Sequence, residues 1–279
     1  MIGAIIGDIA GSRYEFTGYK ERNFDFFAPR NRITDDSLMT LAVAKTLMTC
    51  KEWHNEELLK QTAIDCMKEI AGPRRGAGWG FSFYKWLYMP NRSIPYNSFG
   101  NGAGMRISPV GWVAKSEEEV KYLSRALTEI SHNHPEGIKG AEAIAMSVYM
   151  ARVGKTKEEI RARIEKDYYP EIEDMTVEGI YPTYGLDEKT NYVSCQGSIP
   201  QTLVCFLDGK DFEEVIRYAV SLGGDADTMA CMAGGIAEAY FGVPKEFEEK
   251  ALTYLSEDLQ EIYFAFKNFK CEGQVRDEL

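Results

Sequence analysis

Two runs of small and apolar residues constrain this fold more than any other part of the sequence, and each follows a short string that contains two aspartates and ends in a hydroxyl residue. The run 38–44 follows Asp35 and Asp36, and the run 229–237 follows an Asp-Ala-Asp sequence. Each run is apolar almost all the way around a helix, which predicts two buried helices. Carboxylates at the start of a buried helix are costly unless something pairs with them. If the two helices start at one place, a pair of divalent cations is the simplest compensation.

Helical periodicity accounts for most of the chain, whereas the alternating pattern of β-strands is rare. Capping boxes at Ser116 with Glu119 and at Thr156 with Glu159 mark two helix starts, because hydroxyl and glutamate satisfy each other's backbone donors. No change in composition marks a linker, so we expect one all-α domain over residues 1–279. The pattern predicts helices at 36–50, 56–71, 78–89, 102–114, 117–131, 134–153, 157–166, 196–208, 211–222, 227–240 and 246–266.

Three segments lack helical periodicity, namely residues 11–34, 90–101 and 168–195. Long irregular segments in a helical domain are more often functional than accidental. The glycine-rich segment 3–12 superficially suggests a phosphate-binding loop, but it lacks the lysine of that motif and no βαβ pattern follows it. We interpret it as a closely packed first helix that leads into a loop carrying Glu15.

The composition is that of an acidic globular protein, with a formal net charge of −11 over 279 residues. A surface of that sign repels a phosphate backbone, so nucleic acid is not expected as a partner except as a modified substrate. No stretch reaches the roughly 18 apolar residues of a membrane span, and the N-terminus lacks the basic region of a signal peptide. The six cysteines are scattered, which is typical of free thiols in a reducing compartment. We expect a cytoplasmic monomer with no membrane partner.

The candidate functional motifs also have purely structural interpretations. An aspartate before a helix can be an N-cap that suits the helix dipole, although capping explains one aspartate of each pair and not both. The polar, glycine-rich segment 97–106 is either an ordinary turn or a seat for an anion at a helix N-terminus. His132 and His134 lack the cysteine or histidine partners of a zinc site, so we expect them to be hydrogen bonded in the fold or to face a substrate.

Taken together, four segments of the chain resemble the ADP-ribosylglycohydrolase family. The matching blocks are residues 7–15, 34–36, 100–106 and 223–228, in that order. The resemblance implies a compact orthogonal helical bundle with a binuclear metal cleft that binds two Mg²⁺ or Mn²⁺ ions. It also implies a hydrolase in which water replaces the acceptor at the anomeric carbon of the distal ribose. ADP-ribose is then released from a modified protein side chain or from a small-molecule conjugate.

The resemblance also implies the metal ligands and the catalytic residues. The ligands would come in threes from two helix starts: Thr34, Asp35, Asp36, Asp225, Asp227 and Thr228. Breaking the glycosidic bond builds positive charge at the anomeric carbon, which anionic surroundings stabilise. The leaving group needs an acid or the water a base. Glu15 matches a mobile loop glutamate that acts as this acid or base, or closes over the metals, and Asp36 is the second catalytic candidate.

Contacts with the substrate are implied in the same way. The residues that match positions around the pyrophosphate and the distal ribose are Ser98, Gly100, Asn101 and Gly102. His132 matches a histidine near that ribose. Phe99, together with a tyrosine of the loop 181–192 (Tyr184 or Tyr192), would hold the adenine by stacking.

Two positions depart from the pattern of the family. Arginine-specific bacterial relatives tend to carry an aspartate where this chain has Ser98, and serine-specific relatives carry a serine there. This departure argues against arginine specificity and leaves the acceptor open. Ser37 stands where many relatives have threonine, which is a mild change.

The same residues are compatible with two other functions. The carboxylates could hold Mg²⁺ on phosphates, which would make the chain a phosphohydrolase that cuts the pyrophosphate of ADP-ribose or of a nucleotide. The chain could also bind ADP-ribose without catalysis, since the family contains a lens crystallin. A structural role does not need the six metal ligands, so their presence argues against this last alternative.

Overall fold

Helices follow one another along the chain, as the sequence pattern predicts. The computed structural model describes residues 1–186 and 189–276. Within those two ranges it contains no β-strand, and an isolated bridge between Gly100 and Ser194 is the one extended pairing. The prediction of an all-α fold is therefore confirmed.

The α-helices are α1 (Ile2–Gly11), α2 (Asp35–Thr49), α3 (Glu56–Ala71), α4 (Phe81–Tyr88), α5 (Gly102–Met105), α6 (Ser108–Val113), α7 (Glu117–Glu129), α8 (Pro135–Arg152), α9 (Lys157–Asp167), α10 (Val177–Ile180), α11 (Cys195–Asp208), α12 (Phe212–Ser221), α13 (Ala226–Phe241), α14 (Lys245–Leu252) and α15 (Glu257–Arg276). A 3₁₀-helix at Pro170–Asp174 lies between α9 and α10.

The two helices that the sequence predicts to be buried lie in the core. All residues from 36 to 44 in α2 and from 226 to 238 in α13 are buried. Helix α13 packs against α1, α8, α11 and α12, and α2 packs against α1, α3 and α15. The acidic starts of α2 and α13 are consequently enclosed by protein on most sides.

Glycines on one face of α1 bring its backbone into direct contact with α13. Gly3, Gly7 and Gly11 are spaced four residues apart, so they lie on the same side of the helix. A Cβ atom on Gly7 would lie 2.0 Å from the carbonyl oxygen of Ala230, and one on Gly11 would lie 2.4 Å from Cα of Asp227. No side chain larger than hydrogen fits at these positions. The close approach places the end of α1 beside the start of α13.

The predicted helix at 102–114 is wrong in one respect, because the structure divides it into α5 and α6. Arg106 and Ile107 separate the two, and Ile107 has φ of −91° and ψ of −9°. Pro109, in the first turn of α6, has no backbone N–H to continue a helical ladder from α5. The break turns the Arg106 side chain into the interior, where it is fully buried.

Three further boundaries differ from the prediction. The helix predicted to start at residue 78 starts at Phe81, because Gly78 has φ of +103° and ends the preceding turn. The helix predicted at 246–266 is interrupted at residues 253–256, between α14 and α15. The segment 168–195, predicted to be irregular, contains the 3₁₀-helix and the short α10.

The irregular segments meet at the starts of α2 and α13. The Phe16 N–H donates to the carbonyl of Gly224 (2.8 Å), and the Asn101 N–H donates to the carbonyl of Val193 (2.9 Å). Parts of all three irregular segments therefore surround the acidic helix starts. No helix in the described ranges has the length and hydropathy needed to cross a membrane.

Candidate functional site

A cavity of about 600 Å³ opens at the starts of α2 and α13. All of the site residues predicted from the sequence line it, except Tyr184 and Tyr192. Residues that the sequence analysis did not assign also line it, among them Arg32, Phe83, Tyr96 and Arg106. The volume is within the range of small-molecule sites.

Asp8, which lies within the fully buried helix α1, organises the start of α2. Its Oδ2 accepts hydrogen bonds from the backbone N–H groups of Thr34 (2.8 Å) and Ser37 (3.1 Å) and from the Ser37 hydroxyl. The Thr34 hydroxyl lies 2.8 Å from Asp8 Oδ1. Burial raises the pKa of the Asp8 carboxyl, and these hydrogen bonds oppose the shift. Asp8 thus joins α1 to α2 at the floor of the site.

The starts of α2 and α13 are joined by a direct contact. The Thr228 hydroxyl donates to Asp36 Oδ2 over 3.3 Å, and the Thr228 N–H donates to Asp227 Oδ1 over 3.0 Å. The other oxygen of Asp36, Oδ1, is buried and has no hydrogen-bond partner among the described residues. A buried carboxylate oxygen without a donor is unfavourable unless a cation or a ligand contacts it.

The carboxylates form two groups that could each hold a metal ion. Asp8, Asp36 and Asp227 each place one oxygen within 4.8 Å of the others, and so do Glu15, Asp225 and Asp227. Asp227 belongs to both groups. Aspartate and glutamate oxygens are the ligands that Mg²⁺ and Mn²⁺ favour.

Asp35 lies beside these groups but belongs to neither. Its backbone N–H donates to the carbonyl of Ala77 (2.9 Å), and a Cβ on Gly78 would lie 3.0 Å from its Oδ1. Asp35 is partly buried and lines the cavity. The structure therefore places Asp35 close to Gly78, at the side of the cavity.

Burial raises the pKa of every carboxyl in this cluster. Burial, then the charge of Asp8, raises the pKa of Asp35 to about 8 and that of Asp36 well above its ordinary value. Burial and the charge of Asp36 have the same effect on the pKa of Asp227. Partial burial and the charge of Asp225 raise the pKa of the Glu15 carboxyl, which the Arg32 guanidinium lowers. Without a cation, the cluster therefore retains protons that it would lose in water.

The predicted substrate loop lies against the second acidic helix start. The Asn101 side-chain amide donates to Asp225 Oδ2 (2.7 Å) and to the carbonyl of Tyr192 (3.2 Å). The Gly100 N–H donates to the Ser98 hydroxyl (3.1 Å). Phe99 is 40% exposed and lines the cavity, so one face of its ring is available to a ligand.

The two candidate tyrosines pack behind the cavity instead of lining it. Their rings meet edge to face with centroids 5.0 Å apart, and the Tyr184 hydroxyl donates to the carbonyl of Gly197 (2.7 Å). A Cβ on Gly224 would lie 3.0 Å from Cδ1 of Tyr192, and Gly224 has φ of +70°. The tyrosines therefore support the turn that precedes Asp225, a turn that requires glycine.

His132 lines the cavity beside the glycine-rich loop and is hydrogen bonded to its neighbour in the sequence. Its Nδ1 lies 2.8 Å from the Ser131 hydroxyl, and the side chain is 5% exposed. Burial, and next the charge of Arg106, hold its pKa well below the ordinary value. His132 is therefore neutral in this fold. Arg106 and Ser131, which surround it, were not assigned a role from the sequence.

Proteins of one family resemble this chain in sequence and in fold. A family model described as ADP-ribosylglycohydrolase matches residues 1–266. The ADP-ribosylhydrolase ARH3 of Gallus gallus is 25% identical over 82% of this chain and 78% of its own length. The ADP-ribosylarginine hydrolase Tri1 of Pseudomonas putida (strain GB-1) is 24% identical over 90% of this chain and 72% of its own. A solved ADP-ribosylglycohydrolase-related protein complex has the same fold, with a TM-score of 0.63, 22% identity, and coverage of 96% and 97% of the two chains.

Proposed function

Because the chain belongs to the ADP-ribosylglycohydrolase family, we propose that it hydrolyses the glycosidic bond between the distal ribose of ADP-ribose and an acceptor. The substrate is an ADP-ribosylated protein or a smaller ADP-ribose conjugate, and the product is free ADP-ribose. The observation that carries the proposal is the convergence of five carboxylates in one cavity, from the starts of α2 and α13 and from the Glu15 loop, with Asp8 of α1 grouped with Asp36 and Asp227.

Divalent cations fit this set of donors. The oxygens are hard ligands, they lie within 4.8 Å of one another in two groups, and the buried Oδ1 of Asp36 has no hydrogen-bond partner among the described residues. The resemblance to the family implies that Thr34, Asp35, Asp36, Asp225, Asp227 and Thr228 would hold Mg²⁺ or Mn²⁺. Of these, Asp36, Asp225 and Asp227 belong to the two groups, together with Asp8 and Glu15. When bound, the cations would supply positive charge that binds sugar hydroxyls and lowers the pKa of water.

The side chains of the site suit cleavage of a glycosidic bond. The departure of the acceptor leaves positive charge on the anomeric carbon, and the carboxylates of Asp36 and Asp227 provide negative surroundings for that charge. Glu15 carries the proton that the acceptor gains or the water loses. Its raised pKa supports this role, since a proton-transfer group works best near the operating pH.

The backbone next to Glu15 has a defined conformation and is hydrogen bonded to the turn before Asp225. The next residue, Phe16, has φ of +51°, a conformation that is uncommon for a residue with a side chain. The Phe16 N–H bond to the carbonyl of Gly224 holds the loop against the turn before Asp225. Strained backbone of this kind is concentrated at functional sites.

The acceptor is the least determined part of the proposed substrate. Ser98 supports an acceptor other than arginine, as the sequence analysis argues. The exposed Arg32 in the cavity lining supports the same view, because like charges repel and an arginine acceptor brings a guanidinium. We therefore propose a neutral acceptor, such as a serine side chain.

A product assay by mass spectrometry tests the proposal. The substrates are arginine-linked and serine-linked ADP-ribosyl peptides, ADP-ribosylated nucleic acid and O-acetyl-ADP-ribose, each with Mg²⁺, with Mn²⁺ and with EDTA. We expect metal-dependent release of ADP-ribose, with the serine-linked peptide favoured over the arginine-linked one. AMP with a ribose phosphate would instead identify a phosphohydrolase, and binding of ADP-ribose without turnover of any substrate would identify a binding protein.

Substitutions in the acidic cluster provide the control. Asp36→Asn and Asp227→Asn should each lower turnover at least about a hundredfold, because each removes a charge from the centre of the site. Asp174→Asn is the matched control, since Asp174 is exposed and does not line the cavity. Unchanged turnover in the first two variants would contradict the proposal.

A further inference from the structure

A continuous chain of hydrogen bonds runs from a buried arginine to the histidine in the cavity wall. Arg106 Nη2 lies 2.8 Å from the Ser131 hydroxyl, and that hydroxyl lies 2.8 Å from Nδ1 of His132. We propose that Arg106, acting through Ser131, fixes His132 as the tautomer that carries its proton on Nε2. His132 then presents a hydrogen-bond donor to an oxygen of the substrate. The inference rests on the proposed function for the identity of that substrate.

The direction of the hydrogen bonds from Arg106 to Ser131 and from Ser131 to His132 follows from what each group can donate. A guanidinium only donates, so the Ser131 oxygen accepts from Arg106. The single proton of that hydroxyl has no other acceptor among the described residues, and it is therefore directed at Nδ1 of His132. A neutral imidazole whose Nδ1 accepts a hydrogen bond has its proton on Nε2.

The environment keeps the ring neutral and holds its orientation. Burial and the nearby guanidinium both disfavour the imidazolium form. The ring centroid lies 6.1 Å from that of Phe83, in α4, and 5.7 Å from that of Tyr96, in the segment that follows α4. These contacts limit rotation of the imidazole, so the Ser131 bond is made on one nitrogen only.

Nε2 faces the glycine-rich loop that lines the cavity. A Cβ on Gly102 would lie 3.2 Å from Nε2, and one on Gly100 would lie 3.5 Å from it. Because neither residue has a side chain, the space in front of Nε2 stays open. In the described residues no protein group forms a hydrogen bond with Nε2, so its proton is available to a ligand oxygen.

Arg106 also has a structural role that the test must separate from this one. Its Nη2 lies 3.3 Å from the carbonyl of Thr128 and 3.4 Å from that of Leu127, in the last turn of α7. A cation at a helix C-terminus is favourable. Nε and Nη1, however, have no hydrogen-bond partner in the described part of the chain, and burial lowers the pKa of Arg106 to about 10. A variant of Ser131 is therefore preferable to one of Arg106, since it leaves the helix terminus intact.

Two serine variants and one control test the inference. Ser131→Ala removes the link, Ser131→Thr keeps a hydroxyl, and Ser124→Ala removes a buried hydroxyl of α7 that donates to the Lys121 carbonyl. Two-bond ¹⁵N–¹H correlation spectra report the tautomer of His132, with His132→Gln identifying its signals. Kinetics on the preferred ADP-ribosyl substrate report KM and kcat separately.

We expect the Nε2–H tautomer in the wild-type protein and a mixture of tautomers in Ser131→Ala. In that variant KM should rise about three- to tenfold, the worth of one hydrogen bond, with a smaller change in kcat. Ser131→Thr and Ser124→Ala should resemble the wild type. An Nδ1–H ring in the wild type, or an unchanged tautomer in Ser131→Ala, would overturn the inference. If no substrate is hydrolysed, the proposed function fails, while the tautomer and calorimetric ADP-ribose affinity still decide the inference.

Discussion

Thr228 donates a hydrogen bond to Asp36 across 192 residues of sequence, with 3.3 Å between its hydroxyl and Oδ2. The contact joins the starts of α13 and α2, the two helices that are buried along most of their length. The other carboxylate oxygen of Asp36, Oδ1, is buried and accepts no hydrogen bond from any residue that the structure describes. Oδ2 of Asp36 therefore links α2 to α13, while Oδ1 is available to a cation or a substrate. This division explains why two acidic helix starts can meet inside a protein.

The contact depends on the close packing of α1 against α13, which a single methyl group should disturb. A Cβ on Gly7 would overlap the carbonyl of Ala230 at 2.0 Å. We expect Gly7→Ala to lower the free energy of unfolding by roughly 1–3 kcal/mol, as overpacking does. Urea denaturation measures the change. The control is Gly76→Ala, since a Cβ on Gly76 would have no atom within 4 Å. Equal stabilities of the two variants would show that the helices can separate without loss.

Sequence periodicity predicted the fold class and most helices, because burial of an apolar face requires the 3.6-residue pattern. Periodicity did not predict helix interruptions that depend on tertiary contacts. The stretch 102–114 has a helical pattern throughout, yet Arg106 turns inward between α5 and α6 to reach Ser131. A pattern of apolar positions cannot report that a charged side chain is the one to be buried.

The aspartates at the starts of α2 and α13 were predicted from their place before buried helices and Glu15 from the family resemblance, but Asp8 was not assigned a role. Asp8 lies within an apolar helix, where a buried charge is costly. A charged residue at such a position was the sequence feature that could have indicated a functional role. Tyr184 and Tyr192 were candidates for stacking on the adenine, but neither lines the cavity. Their ring chemistry suits stacking, but only the backbone path around Gly224 decides that they face the protein interior. The acceptor side of the site stays a prediction.

Asp8 holds the start of α2, so its neutralisation should weaken binding of cations at the site. Asp8→Asn replaces an acceptor oxygen with an amide that faces the donors of Thr34 and Ser37. We expect the affinity for Mn²⁺ to fall about 10- to 100-fold, which is typical when a residue that orients ligands is lost. Isothermal titration calorimetry measures the affinity. Asp174→Asn serves as the control, and affinity equal to that of the wild type in Asp8→Asn would exclude this role.

Phe99 and Tyr184 should respond differently to substitution, because only Phe99 lines the cavity. Phe99→Ala should raise KM for the ADP-ribosyl substrate about tenfold, since it removes an exposed stacking surface for a base. Tyr184→Phe should leave KM unchanged and lower the free energy of unfolding by about 1 kcal/mol, because it removes the hydrogen bond to the Gly197 carbonyl. Steady-state kinetics and urea denaturation separate the two effects. A large rise of KM in Tyr184→Phe would indicate that Tyr184 contacts the substrate.

Stability should depend on pH in a direction set by the buried carboxyls. Burial raises the pKa of Asp35 from 3.8 to about 8, and it raises the pKa of Asp36 and of Asp227 well above 3.8. At pH values between the unfolded pKa and the raised folded pKa, the folded chain holds protons that the unfolded chain has lost. Without divalent cations, raising the pH from about 5 to about 8 should therefore lower the free energy of unfolding. Each such carboxyl contributes a slope of up to about 1.4 kcal/mol per pH unit.

Divalent cations should remove this dependence, because they bind the ionised carboxylates of the folded state only. Urea denaturation in EDTA and in saturating Mn²⁺, each at about pH 5 and about pH 8, measures both effects. Asp35→Asn should flatten the profile in EDTA, since it removes a group that titrates in this range. Asp174→Asn, at an exposed aspartate, should keep the wild-type profile. A metal-free protein that is more stable at pH 8 than at pH 5 would mean that the clustered carboxyls are already ionised in the fold and are compensated by something other than a bound cation.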